Sequence, residues 1–138
     1  METTTKTLSP ELYRVIDANL NRLREGIRVI EDIARYSQNN KIIATKLKSL
    51  RHQSRIDNLQ SLLSSRDSIN DVLRPTLAQE MNRSDLQSIV IANYKRAQES
   101  SRVLEEMYKI IEPLLSETFK TLRYELYSLE KEHLIEHE

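Results

Sequence analysis

The chain has 138 residues, with 21 Lys and Arg balanced by 21 Asp and Glu, one Gly, three Pro and no Cys. That length fits one ordinary domain, and 38 Leu, Ile, Val and Phe positions are enough to build a core. The single Gly excludes a P-loop or a dinucleotide-binding turn, which need several, and makes a turn-rich all-β fold untenable. The absence of Cys excludes disulfides, thiol catalysis and Cys-based zinc. Zero net charge gives no bulk field toward nucleic acid or an anionic membrane, and no run nears the ~20 apolar residues that span a bilayer. The expectation is a helix-rich cytoplasmic protein with neither nucleic-acid nor membrane partners.

Ser9-Pro10-Glu11 has the form of a helix start, with Ser as the cap, Pro first in the helix and an acid in the first turn. Leu12, Ile16, Leu20, Leu23, Ile27, Ile30 and Ala34 then recur at spacings of three and four, which predicts one helix to about Ser37. Gln38-Asn39-Asn40 is a short polar break. A second helix is expected from about Lys41 to Asp57, with Ile43, Leu47, Leu50 and Ser54 on one side. So short a break predicts an antiparallel hairpin. Ser84-Asp85-Leu86-Gln87 reads as a capping box opening a third helix to about Ile111. After Pro113, Leu115, Phe119, Leu122, Leu126 and Leu129 hold a seven-residue repeat.

The two halves resemble each other. At an offset of 74, residues 18–31 match residues 92–105 at seven of fourteen positions, including Ala18/Ala92, Asn19/Asn93, Arg22/Arg96, Glu25/Glu99 and Arg28/Arg102. At an offset of 72, Lys48-Ser49-Leu50-Arg51 falls on Lys120-Thr121-Leu122-Arg123. The prediction is an all-α antiparallel four-helix bundle in one domain, residues 1–138, made from duplicated hairpins at 9–59 and 84–135. A long connector without periodicity is expected at 60–83.

On the first helix Ala18, Arg22, Glu25, Val29 and Asp32 lie opposite the apolar stripe, with Asn19 and Gly26 at the edge. Small and apolar residues interleaved with charges suggest a second contact surface rather than a plain solvent face. A lattice of helix-surface ion pairs such as Glu25–Arg28 and Arg28–Asp32 would explain the charges without function. Guanidinium forks beside carboxylates also suit a ligand with phosphate and amine or Mg²⁺ character. In the connector, Arg66 is a candidate phosphate contact, and Asp67 and Asp71 are candidate Mg²⁺ ligands; capping of local turns is the plainer account of that cluster. His52 reads first as structural. His133 and His137 read as part of a charged tail, and Tyr124 and Tyr127 as packing residues that could also stack on a flat ring.

The segment Ile16-Asp17-Ala18-Asn19-Leu20-Asn21-Arg22, continued by Glu25-Gly26-Ile27-Arg28-Val29-Ile30-Glu31-Asp32, resembles a small all-helical family of thiamine biosynthesis. That family occurs alone or fused in front of thiamine phosphate synthase. The likeness continues through Leu50-Arg51-His52, Ser65-Arg66-Asp67-Ser68, Asp71-Val72, Ala92-Asn93, Arg102 to Glu106 and Arg123-Tyr124. Leu73, Ser100 and Met107 depart from the family's Gly, Ala and aromatic residues. The resemblance implies a hydroxymethylpyrimidine-phosphate kinase, unrelated to ribokinase-like enzymes, that forms the pyrophosphate with ATP and Mg²⁺. It makes Asn19, Arg22, Glu25, Arg28, Asn93, Arg96, Glu99 and Arg102 substrate-binding candidates and Arg66, Asp67 and Asp71 catalytic candidates, with Asp67 and Asp71 on the metal. The alternative is a non-catalytic module that binds the pyrimidine phosphate or docks on thiamine phosphate synthase; a bundle serving only to form a homodimer is a third reading. The length leaves no room for the synthase barrel, so coupling of pyrimidine to thiazole is not expected here.

Overall fold

A computed structural model describes residues 9–56, 59–75 and 83–136. These residues are helical, with no strand among them: α1 Pro10–Asp32, α2 Lys41–Gln53, α3 Leu59–Ser65, α4 Leu86–Ile111 and α5 Pro113–Glu136. The Ser9 hydroxyl accepts from the Leu12 amide as expected of its cap, and Pro10 opens the helix. The helical path then runs on to Ser37, but its last five residues, Ile33–Ser37, widen into a π turn. Asn39 adopts a left-handed backbone, φ 51°, and Asn40 caps α2 by accepting from the Ile43 amide at 3.1 Å.

Four expectations are corrected. The second helix stops at Gln53 rather than near Asp57, where the Ser54 hydroxyl turns back to the Arg51 carbonyl at 2.6 Å and competes with continued helix. The connector is not without regular structure: its start is α3, whose Leu62 is buried against the core. A helix of two turns is too short to show periodicity. The cap of α4 is Asp85 and not Ser84; its carboxylate takes both the amide and the hydroxyl of Ser88 at 2.7 Å. The fourth concerns His133 and is described with the site.

Helix α1 packs against α2, α3 and α4, and α4 packs against α5. The stripe residues Ile16, Leu20, Leu23, Ile27, Ile30 and Ala34 are all buried, as are Ile43, Leu47 and Leu50 of α2 and Phe119, Leu122, Leu126 and Leu129 of α5. Spacing in the sequence therefore located the core faces of α1, α2 and α5. At the α1–α4 contact the helices come very close. A Cβ on Gly26 would lie 3.2 Å from the Asn93 carbonyl oxygen and 3.7 Å from the Ala97 Cβ, so a side chain on the lone glycine would press on the α4 backbone.

Two polar clamps lie inside this packing. Arg51 of α2 grips Glu31 at the end of α1 with both oxygens engaged, Nε–Oε1 2.7 Å and Nη2–Oε2 3.1 Å. Arg123 of α5 grips Glu105 of α4 through Nε at 3.2 Å and Nη2 at 2.9 Å. Glu31 and Glu105 are both buried, and these are the residues paired by the offsets of 74 and 72. Asn19 and Asn93 also match: each donates its amide to the carbonyl four residues back, Val15 and Ile89, at 2.8 Å.

Candidate functional site

The face of α1 that carries the charged stripe is flanked by α4 on one side and by the segment after α3 on the other. Toward α4, Asn19 and Arg22 share a cleft of about 240 Å³ with Ala92, Arg96, Glu99 and Ser100. The close approach at Gly26 brings the two helices near enough for both to line it. Arg22, Glu25, Arg96 and Glu99 are exposed, and none of them takes part in an ion pair among the described residues. Of the second contact surface expected along the stripe, Asn19 and Gly26 at the edge are buried, Gly26 against α4, while Arg22, Glu25 and Val29 stay exposed. Arg28 and Arg102 do differently. Arg28 pairs with Asp32 at 3.3 Å, and Arg102 with Glu106 at 3.0 Å and Glu105 at 3.1 Å. The lattice reading therefore accounts for Arg28 and Arg102, at exposed pairs worth about 0.3–0.5 kcal/mol. It does not account for Arg22, Glu25, Arg96 and Glu99.

On the other flank, Arg66 reaches back to Asp17 of α1 in a two-pronged pair, both contacts 2.7 Å. Asp17 is 6% exposed, and these hydrogen bonds raise the Arg66 guanidinium above its ordinary value. The pair uses Nε and one Nη2 hydrogen, which leaves the remaining N–H donors of Arg66 for another acceptor. Arg66, Asp67 and Asp71 line one cleft of about 510 Å³ with Arg14, Ala18 and Asn21. Asp67 holds a local turn, accepting from the Asn70 side chain at 2.7 Å and its amide at 3.1 Å, and those bonds keep its carboxyl below the ordinary value. Asp71 accepts from the Leu73 amide at 3.0 Å. Both turn-holding roles match the plainer account of the cluster. Lone pairs remain on each carboxylate, so the pair also fits Mg²⁺, which commonly takes one or two carboxylates and completes its shell with water and substrate phosphate. No group of three His, Asp or Glu converges anywhere among the described residues.

The structure thus sorts the predicted residues. Asn19, Arg22, Arg96 and Glu99 meet at one cleft; Arg66, Asp67 and Asp71 meet at another, joined to the first by the Val15–Ala18–Arg22 edge of α1. Asn93 contacts α1 near Gly26, and Glu25 lies within electrostatic reach of Arg66. Arg102 faces a separate recess with Arg123 and Tyr127. Sequence reasoning missed Asp17, Arg24 and Arg55, which gather around Arg66. A partial signal was present, because Asp17 and Arg24 fall on Ile91 and Gln98 at the offset of 74 and break the match between the halves.

His52 is exposed on α2. His133 corrects the expectation of a charged tail. It is 0% exposed, with Nδ1 2.9 Å from the Tyr94 hydroxyl and Nε2 2.6 Å from the Gln38 Oε1. A neutral ring that donates to Gln38 and accepts from Tyr94 satisfies both contacts. His137 lies outside the described residues. Tyr124 and Tyr127 meet edge to face at 6.0 Å with the Arg123 guanidinium over both rings, so they serve the Glu105 clamp.

The sequence profile of the ThiD2 family matches residues 14–132, nearly the whole chain. The chain belongs to the ThiD2 family. It is also similar to the N-terminal part of cyanobacterial thiamine-phosphate synthases. It is 38% identical over 120 residues to that of Nostoc punctiforme, covering 86% of this chain and 34% of the relative. With that of Synechocystis it shares 41% over 120 residues, 86% of this chain and 35% of the relative. With that of Thermosynechococcus vestitus the figures are 39% over 124 residues, 87% and 34%. The chain spans about a third of the length of these relatives. No solved structure matches. Family and relatives together set this ThiD2 chain in thiamine biosynthesis. No helix among the described residues is long and apolar enough to cross a membrane.

Proposed function

We propose that the chain phosphorylates hydroxymethylpyrimidine phosphate to the pyrophosphate with ATP as donor, and that it does so as a duplicated four-helix bundle whose halves share one site. The observation that carries the reading is the α1–α4 cleft, where Arg22 and Arg96 stand without ion-pair partners beside Asn19 and Glu99. The repeated Glu–Arg clamps and the repeated asparagine bonds support duplication. In such a site Arg22 and Arg96 hold the substrate's phosphate, and Glu99 accepts a hydrogen bond from the exocyclic amine. Asn19 borders the ring.

In the reaction an oxygen of the pyrimidine monophosphate attacks the γ-phosphorus of ATP. The bond from that phosphorus to the β–γ bridging oxygen breaks, and ADP leaves with the bridging oxygen. The attacking oxygen is already anionic, so no general base is needed; positioned positive charge suffices. The unused donors of Arg66 suit the transferring phosphoryl group. Asp67 and Asp71 are the residues to hold Mg²⁺, which when bound neutralises phosphate charge on the donor.

The length of the relatives favours a second reading, a pyrimidine-phosphate carrier that docks on thiamine phosphate synthase. The test is phosphorus NMR of the purified chain with hydroxymethylpyrimidine phosphate, ATP and Mg²⁺. A new pyrophosphate signal is expected, and Arg22→Ala and Arg96→Ala should each lower kcat/KM at least tenfold, about 1.4 kcal/mol. Neither replacement should move the melting temperature by more than a degree or two, because both side chains are exposed and without ion-pair partners. Saturable binding without product would support the carrier, and full activity of both variants would remove the cleft from the reaction.

A further inference from the structure

Behind the Arg66–Asp17 pair lies a recess of about 320 Å³ between α1, the end of α2 and α3, lined by Arg24, Arg55 and Arg66 among others. Among the described residues Asp17 is the only carboxylate lining it, and Arg66 engages both its oxygens. Arg24 and Arg55 make no ion pair among the described residues, and the Arg24 Nε is buried with no hydrogen-bond partner among them. Leu20, Ile56 and Leu62 border the same recess.

The other half of the molecule differs. Ile91 and Gln98 stand where Asp17 and Arg24 would repeat, and the recess beside α4 carries Gln98 and Tyr127 where this one has Arg24 and Arg55. The Arg102 and Arg123 of that recess are both paired with Glu105. A guanidinium fork fits two oxygens of one phosphate group, and several forks along one wall fit a chain of such groups.

We infer that this recess is a binding site for a polyphosphate chain, distinct from the α1–α4 cleft, with Arg24 and Arg55 as its ligands. The inference goes beyond the kinase reading and does not depend on it, because binding is measured without turnover. The experiment is calorimetric titration of the full chain with inorganic tripolyphosphate, without Mg²⁺ or pyrimidine, at low and high salt. Saturable binding that weakens with salt is expected. Arg55→Gln and Arg24→Gln should each weaken it at least tenfold, while Arg22→Gln and the surface control Lys131→Gln leave it within twofold. Arg55 is exposed, so its replacement decides the matter even if Arg24→Gln fails to fold. Absence of saturable binding, an unchanged Arg55→Gln, or an equal loss in Arg22→Gln would overturn the assignment.

Discussion

Replacing Arg51 by Met leaves Glu31 buried, with a side chain 3% exposed and no other side-chain hydrogen-bonding partner among the described residues. Stranding one member of a buried pair costs about 3–5 kcal/mol. Replacing Arg123 by Met strands Glu105 only in part, because Arg102 still reaches its Oε2 at 3.1 Å. A hydrogen bond to a charged group contributes about 1.5–3 kcal/mol, to be discounted here because the Arg102 side chain is 54% exposed. Arg123→Met should therefore cost about 1 kcal/mol less than Arg51→Met. For a chain of this size that difference is about 3–5 °C in melting temperature. Urea unfolding followed by helical circular dichroism measures both. Arg102→Ala alone should cost under about 1 kcal/mol, yet in the Arg123→Met background it should close the gap. If Arg123→Met cost as much as Arg51→Met, Arg102 would not be a reserve partner. Losses under about 1 kcal/mol for both would refute the reading of these pairs as buried clamps.

Further outcomes follow from single sites. Burial raises the Tyr108 phenol to about 12, and its hydroxyl has no partner among the described residues, so Tyr108→Phe should raise stability by about 1 kcal/mol while keeping the stack on Phe119; a loss of that size in urea unfolding would show a hidden acceptor. Hydrogen bonds from Ser88 hold the Asp85 carboxyl below its ordinary 3.8, so the cap of α4 is complete above that value and is lost as pH falls through the depressed one. Hydrogen exchange at the Ser88 amide should show this in the native chain and be flat with pH in Asp85→Asn, after correction for intrinsic exchange, since Asn caps without titrating. Gly26→Val should cost about 1–3 kcal/mol by pressing its methyls into the α4 backbone, and a melting temperature unchanged from the native chain would contradict the close approach there.

The long helices and their core faces were legible because each apolar side chain recurs at a spacing set by the helix itself. The paired halves also pointed to Glu31, Arg51, Glu105 and Arg123 as equivalents, although not to their being clamps. Contacts between distant positions were not legible. Arg66 finds Asp17 across 49 residues, and nothing local to either announces the other. Arg24 and Arg55 became neighbours only because α2 ends where it does. The burial of His133 was within reach, since it stands four positions past Leu129 and so continues the alternation of threes and fours; its polarity masked the pattern. Ser84 and Asp85 are both able caps by residue type, so the sequence alone did not choose between them.

The clamp from Glu31 to Arg51 spans 20 positions, and that from Glu105 to Arg123 spans 18. The first hairpin accommodates its two surplus residues in the widened turn at Ile33–Ser37 and the left-handed Asn39, so both clamps close alike. The surplus also carries Gln38 outward to the His133 ring near the far end of α5. What looks like slack in one hairpin is a clasp on the other, and shortening that turn to match its counterpart would tidy the local helix while unfastening the last one.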